Sequence, residues 1–150
     1  MVNKPKAIGT RGETGATKTA RDLGFPMAQR LPLMGANDSA DVRLCPGVIM
    51  EVKSGKAAKT ASLAQIDLWW LELEQKRRKH GATVAMLLVQ RAGYSPDRAA
   101  YWRCFVGAPM VAMLQMRKGV FIHEHAFPVE MTYAKALLLL RGYGYGEPLP

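Results

Sequence analysis

Two spacings of apolar residues run along this chain, and each predicts a different kind of element. Apolar residues three and four positions apart begin at Leu63 and predict a helix over residues 63–79. Thr60 or Ser62 is a suitable cap for its start, and Gly81 is a glycine that would end it. The stripe predicted to face the core consists of Leu63, Ile66, Trp70 and Leu73.

The rest of the chain predicts shorter elements on either side of this helix. The run 82–90 is apolar almost throughout, as in a central strand that is buried on both faces. Residues 55–62 predict a flexible basic loop. The further predicted helices are 11–23, 109–116 and 129–141, and the further predicted strands are 27–31, 41–44, 48–53, 99–106 and, at an edge, 120–125. This order predicts a single-domain α/β fold in which helices flank a mixed β-sheet.

The two ends of the chain differ in composition from the segment between them. Residues 1–10 are basic and are predicted to form a flexible arm. Residues 11–141 are predicted to form the folded domain, and residues 142–150 a C-terminal tail.

Glycines crowd the start of the first predicted helix, although glycine lowers helix stability. Gly9, Gly12 and Gly15 therefore indicate either a close approach of the backbone to another segment or simply a poor helix. Gly24 is placed to end the helix as its C′ residue. Glu13 lies on the helical face that carries small apolar residues, so its side chain is predicted to point towards the protein.

The stretch ADVRLCPGVIMEVKSG places two carboxylates and a lysine around a tight turn. If Leu44 pairs with Val48 across a three-residue loop, Asp41 lies directly opposite Glu51, and like charges in that position are destabilising. Alternation along the second strand then puts Glu51 and Lys53 on the same face.

Two arrangements would remove this repulsion, and the residues alone leave both open. Lys53 could pair with both acids in a solvated cluster, which is common on exposed strands. A divalent cation could instead bind the carboxylates of Asp41 and Glu51, because Mg²⁺ prefers oxygen ligands. Such a cation would also activate a water molecule and stabilise charge on a reacting phosphate.

The chain carries a large excess of positive charge, with 21 Lys and Arg against 12 Asp and Glu and a net charge of +9. This excess favours a polyanionic partner, either a nucleic acid or an acidic protein surface. Cys45 and Cys104 are too few for a disulfide framework and are predicted to be reduced thiols of a cytoplasmic protein. No signal peptide or spanning helix is expected, and hence no membrane partner.

An acid followed ten residues later by Glu-x-Lys on a strand resembles the PD-(D/E)xK nuclease superfamily. Over about residues 8–91 the chain is similar to the Holliday junction resolvases of archaea and of actinobacterial phages. The segments that carry this resemblance are GTRGET, which contains Glu13, LGF at the end of the first helix, QRLPLMGANDSADVRLCPGVIMEVKSG, and AQIDLW, which contains Gln65.

Two positions depart from the pattern of the family. Ala40 precedes Asp41 where the superfamily name has a proline, at a position that tolerates change. Met34 stands where the archaeal resolvases carry a serine, so no role of that serine is transferred to this chain. Beyond Arg91 the resemblance is thin.

The resemblance implies a restriction-endonuclease-like fold and a Mg²⁺-dependent, structure-selective DNA endonuclease that resolves four-way junctions as a homodimer. Mn²⁺ is the expected substitute, and the expected location is the cytoplasm of a bacterial or phage-infected cell. The lysine is implied to position or activate the attacking water, while the glutamate of the first helix and the glutamine support the site. The implied catalytic residues are Glu13, Asp41, Glu51, Lys53 and Gln65, and the implied metal ligands are Asp41, Glu51 and the main-chain carbonyl of Val52.

Several basic residues are predicted to contact DNA because they lie in the loop beside this site or at strand ends on the same side. They are Arg30, Arg43, Lys56, Lys59 and Arg91. The alternatives are another nuclease of the same fold that acts on forks or DNA ends, and a catalytically idle DNA-binding module. A basic protein-interaction domain is a third alternative, but it leaves the opposed carboxylates unexplained.

Overall fold

The protein folds as a six-stranded sheet with helices on both faces. The structure is a computed structural model, and it describes residues 4–32, 40–107 and 128–150. We number the elements within these residues. The helices are α1 Lys4–Asp22, α2 Lys56–Lys59, α3 Leu63–Lys79 and α4 Tyr133–Gly142, with a 3₁₀ helix at Pro96–Tyr101. The strands are β1 Gln29–Arg30, β2 Val42–Cys45, β3 Val48–Lys53, β4 Val84–Val89, β5 Arg103–Gly107 and β6 Pro128–Thr132.

The strands lie in the sheet in the order of the sequence, from β1 to β6. Only β3 and β4 pair in parallel, and α2 and α3 form the connection between them. All other neighbours pair antiparallel. The described fold is thus a single α/β domain with a mixed sheet, as the sequence predicts.

Alternation along the strands separates two apolar cores, one on each face of the sheet. On one face, Val48, Met50 and Val52 of β3 pack with residues of α1 and α4. On the other face, Ile49 packs with α2 and α3. Because Glu51 follows Ile49 in the same alternation, its carboxylate belongs to the α3 face.

The long helix α3 matches its prediction at both ends, Leu63 and Lys79. The Ser62 hydroxyl accepts a hydrogen bond from the Gln65 N–H at 3.2 Å, so Ser62 is the cap. The core stripe is confirmed for Ile66, Trp70 and Leu73, which are buried. It is wrong for Leu63, which is 71% exposed at the first position of the helix.

Three predicted segments differ in the structure. Residues 4–10 belong to α1 and not to a flexible arm; the Ser54 hydroxyl donates to the Ile8 carbonyl at 3.3 Å and ties this turn to the end of β3. The predicted loop 55–62 contains α2. The predicted helix 129–141 is divided at Thr132, because the residues before it pair with β5 as β6 and Thr132 then caps α4.

Other predicted segments changed in length or lie outside the described residues. The predicted strand 27–31 is reduced to Gln29–Arg30, and the predicted strand 99–106 begins only at Arg103 because the 3₁₀ helix precedes it. The predicted helix 109–116 and edge strand 120–125 fall in the undescribed segment 108–127. The tail packs back on the fold, since the Arg141 side chain donates to the carbonyls of Glu147 and Pro148 at 2.8 Å.

Two of the three early glycines are sites of close backbone approach. A Cβ at Gly12 would lie 2.5 Å from Ser54 Oγ, and one at Gly15 would overlap the backbone carbonyl of Pro96. A Cβ at Gly9 would meet nothing within 4 Å. The glycines at positions 12 and 15 therefore let α1 lie directly against the end of β3 and the 3₁₀ helix.

Gly15→Ala is expected to lower the free energy of unfolding by about 1–3 kcal/mol, the range for inserting a methyl group into a filled space. Gly9→Ala, in the same helix but in open space, is expected to raise it by about 0.5–1 kcal/mol. Urea unfolding followed by circular dichroism measures both changes. Equal effects of the two substitutions would contradict the packing assigned to Gly15.

Candidate active site

Asp41 lies immediately before β2, and its side chain, not its backbone, accepts the hydrogen bond from the neighbouring strand β3. The Val52 N–H donates to Asp41 Oδ2 at 2.7 Å. The Leu31 N–H donates to the Asp41 carbonyl at 2.8 Å and attaches the segment after β1. The Asp41 carboxylate is therefore held at the edge of β3 by backbone hydrogen bonding.

The register that brings Asp41 to Glu51 arises in a different way from the predicted one. Cys45 pairs with Val48, so the loop contains two residues, and the predicted pair of Leu44 with Val48 is wrong. A bulge follows, after which Val42 pairs with Met50 in the register that the prediction also required. Continued by one residue, this register places Asp41 opposite Glu51.

Glu51 is a buried carboxylate held by two lysines. It is 7% exposed. Lys53 Nζ lies 3.0 Å from Glu51 Oε1, and Lys76 Nζ lies 3.2 Å and 3.1 Å from Oε1 and Oε2. Since a buried carboxylate is stable only with partners, these two ammonium groups are what allows Glu51 to lie inside the fold.

The raised pKa of Asp41 distinguishes this site from an ordinary ion-pair cluster. Burial, followed by the nearby carboxylates of Glu51 and Glu13, raises its pKa to about 7. The hydrogen bond from the Val52 N–H, whose effect exceeds that of Glu13, and the charge of Lys53, whose effect is smallest, lower the pKa. Asp41 and Glu51 thus repel each other in the folded protein, as their opposed positions in the sequence imply.

Glu13 reaches the same region from α1, at the edge of the sheet. Arg30 Nη2 and Nε lie 2.7 Å and 2.9 Å from Glu13 Oε2. Glu13, Arg30 and Asp41 line one open groove of about 550 Å³ beside the N-terminal half of α1. Arg30, predicted to contact DNA, is therefore engaged with a predicted catalytic residue.

The helix α3 closes the other side of the site. Lys53 Nζ lies 5.6 Å from the centroid of the Trp69 ring, within the range of a cation–π contact. Gln65, Trp69 and Lys76 share one helical face by their spacing. Gln65 thus lies on the face of α3 that turns towards the acids. Within the described residues, however, no hydrogen bond joins its side chain to Asp41 or Glu51.

The donor set of this site suits a hard divalent cation. Asp41 and Glu51 offer carboxylate oxygens, and their mutual repulsion would be relieved by a cation between them. The Val52 carbonyl points to the same edge of β3 as its N–H, which meets Asp41. In the described ranges 4–32, 40–107 and 128–150, however, no cluster of three or more His, Cys, Asp or Glu side chains has the geometry of a metal site.

The other residues predicted to contact DNA occupy three separate places. Lys56 and Lys59 extend from α2 into a second groove, next to the end of β3. Arg43 is exposed on β2. The Arg91 guanidinium lies 5.3 Å from the centroid of the Tyr94 ring, beyond the end of β4.

Lys76 and Gln90 are two residues of the site that the sequence reasoning missed. Lys76 belongs to the basic run at the end of α3, and only its spacing of three helical turns from Gln65 indicates that it faces the acids. Gln90 is buried at 5% exposure; its N–H donates to the Lys53 carbonyl, and its side-chain oxygen accepts from the Gly55 N–H, both at 2.8 Å. No periodicity signals Gln90, because it simply follows an apolar strand.

Among the described residues, no helix combines the length and the apolar character needed to cross a bilayer. Comparison of the chain with protein-family models, curated proteins and solved structures finds no match.

Proposed function

We propose that this protein is a metal-dependent, structure-selective DNA endonuclease that resolves four-way junctions. The observation that carries the proposal is the convergence of Asp41, Glu51 and Lys53 at one end of β3, with the pKa of Asp41 raised to about 7 by burial and by Glu51. Perturbed carboxylates in a cleft are a recognised feature of reactive sites. The net charge of +9 supports a polyanionic substrate.

Each residue of the site has a role that follows from its contacts. Asp41, Glu51 and the Val52 carbonyl would hold Mg²⁺, or Mn²⁺ in its place. The ion, when bound, supplies a water with a lowered pKa and stabilises negative charge on the phosphate. Lys53 is a cation fixed between Glu51 and Trp69, suited to orient that water or a phosphate oxygen. Lys76 holds the Glu51 carboxylate in place.

A homodimer is part of this proposal, because a junction with approximate two-fold symmetry needs two symmetric cuts. Three apolar parts of the chain offer material for an interface: the segment 111–116, the pair Trp69-Trp70 and the residues 137–140. Of these, Trp70, Leu137 and Leu140 are buried in the core. Leu68 and Leu71 are each 56% exposed on the outer face of α3 and are better suited to an interface. The candidate segment 111–116 lies outside the described residues.

A catalytically idle DNA-binding module is a second candidate, and one observation favours it. Glu13, Asp41 and Glu51 are matched in number by Arg30, Lys53 and Lys76, so these cations balance the acids without a metal when Asp41 is ionised. In that case the acids would serve only to position the strands.

Incubation with a labelled four-way junction separates the two candidates. The endonuclease proposal predicts paired, symmetric cuts that require Mg²⁺, and a mass of about twice 16.5 kDa by light scattering. A linear duplex of the same sequence is the matched control substrate and should be cut far more slowly. Junction binding without cleavage in Mg²⁺ or Mn²⁺ would establish the idle module, and a monomer that only nicks would remove the resolvase assignment.

A further inference from the structure

A second groove, distinct from the one beside Asp41, lies past the carboxyl ends of β3 and β4. Its volume is about 890 Å³, and α1, α2 and the segment after β4 form its walls. Within the part of the chain that the structure describes, no acidic residue lines it, and four cationic residues do: Arg11, Lys56, Lys59 and Arg98. We call it the basic groove.

The basic groove is physically joined to the candidate active site through Gln90. The Gln90 N–H donates to the carbonyl of Lys53, and its side chain accepts from the Gly55 N–H at the start of α2. Its side-chain amide also donates to the Tyr94 carbonyl at 3.1 Å, on the opposite wall. One buried amide therefore sets the spacing of both walls and places them next to the strand end that carries Lys53.

Aromatic rings hold one of the cations at the rim of the groove. The Arg98 guanidinium lies 4.7 Å from the centroid of the Tyr94 ring and 5.5 Å from that of Tyr101. The two ring centroids are 5.4 Å apart. Tyr94 lines the basic groove and is half-buried, whereas the exposed Tyr101 lines a neighbouring pocket with Arg91 and Glu130.

The nearest acid does not cancel this charge. Asp97 is exposed, and its carboxylate accepts a hydrogen bond from the Ser95 hydroxyl. That hydrogen bond contributes most to holding the pKa of Asp97 below its usual value; a backbone hydrogen bond follows, and the charges of Arg98 and Arg11 contribute less. With Asp97 ionised, the region still has three positive charges in excess, four cations against one acid.

We propose that the basic groove binds an unpaired strand of DNA beside the cleavage site. Its volume lies within the range of clefts that hold small molecules and cofactors, about 300–1,000 Å³. Cations along both walls with an aromatic ring in the lining, here Tyr94, are the combination that binds single strands without sequence preference. This inference rests on the proposed nuclease function, because the strand in the groove would belong to a branched DNA substrate that is unpaired at the branch.

Binding of a fluorescent oligothymidylate of about 12 nucleotides, measured by anisotropy in EDTA, tests the groove without any cleavage. The double variant Arg11→Ala/Arg98→Ala should reduce the slope of log affinity against log salt by about 1.4, or 0.7 for each lost phosphate contact on a single strand. Tyr94→Ala, which removes the aromatic ring of the groove lining, should weaken binding by at least about fivefold, the lower limit for one base–aromatic stack. Lys79→Ala, which removes an exposed charge outside the groove, is the matched control and should change the slope less.

The outcomes separate this inference from the nuclease proposal. Wild-type affinity and slope in the Arg11→Ala/Arg98→Ala protein, with an unchanged melting temperature, would overturn the groove assignment and leave the nuclease proposal intact. Equal affinity for the oligothymidylate and for a blunt duplex of equal length would also overturn it. Loss of oligothymidylate binding in the double variant would support the groove even if the wild-type protein cuts no junction.

Discussion

Glu51→Gln should reduce Mg²⁺-dependent cleavage of a four-way junction by at least about 10²–10³-fold, the range for the loss of one preorganised electrostatic contact. The substitution removes a charge from the proposed ligand set. It leaves Lys53 and Lys76 without their anionic partner, since both ammonium groups lie within 3.2 Å of Glu51 oxygens. Single-turnover cleavage with excess protein measures the effect.

The same protein should bind the junction in EDTA at least as tightly as the wild type, because the substitution adds one unit of positive charge. It should be less stable, since two buried ion pairs are broken. Glu74→Gln is the matched control: it breaks the ion pair of Glu74 with Arg77 on α3, away from the acids, and should cut normally. Wild-type cleavage by Glu51→Gln would remove Glu51 from the site.

Asp41→Asn should stabilise the metal-free protein at pH 8 and change its stability little at about pH 4. Asp41 has a folded-state pKa of about 7 against 3.8 for the free side chain. The folded state binds the Asp41 proton more tightly than the unfolded state does. Protonation of Asp41 therefore stabilises the folded protein fully below about pH 4, and this contribution is lost as the pH rises through 7. The loss amounts to roughly 2–4 kcal/mol in the wild-type protein at pH 8. An asparagine keeps an acceptor for the Val52 N–H and carries no charge.

Calorimetric melting in EDTA at the two pH values measures this difference, at about 2–4 °C per kcal/mol for a chain of this size. Added Mg²⁺ should raise the melting temperature of the wild type at pH 8, because a ligand that binds only the folded state stabilises it, and should raise that of Asp41→Asn much less. Asp67→Asn, which removes an exposed carboxylate from α3, is the control. Parallel pH profiles for wild type and Asp41→Asn would contradict the raised pKa.

The sequence by itself determined the elements whose apolar spacing is regular. The helix α3, its Ser62 cap and the strand β3 follow from periodicity and capping chemistry, which are local properties. The opposed position of Asp41 and Glu51 also follows, because the register beyond the bulge depends on which strand faces are apolar. The close backbone approach that the glycines of α1 indicate is confirmed at two of the three positions.

Only the tertiary structure decided the features that depend on contacts between distant segments. The strand β6 forms by pairing with the open edge of β5. Residues 128–132 have no strand periodicity of their own, so the sequence predicts that they continue the helix that follows. Lys76 meets Glu51 because α3 crosses the sheet at that position, 25 residues further along the chain. The basic groove likewise combines Arg11 and Arg98, whose proximity depends on the packing of α1 against the 3₁₀ helix. Charge and periodicity are encoded locally, whereas the meeting of two charges is set by packing.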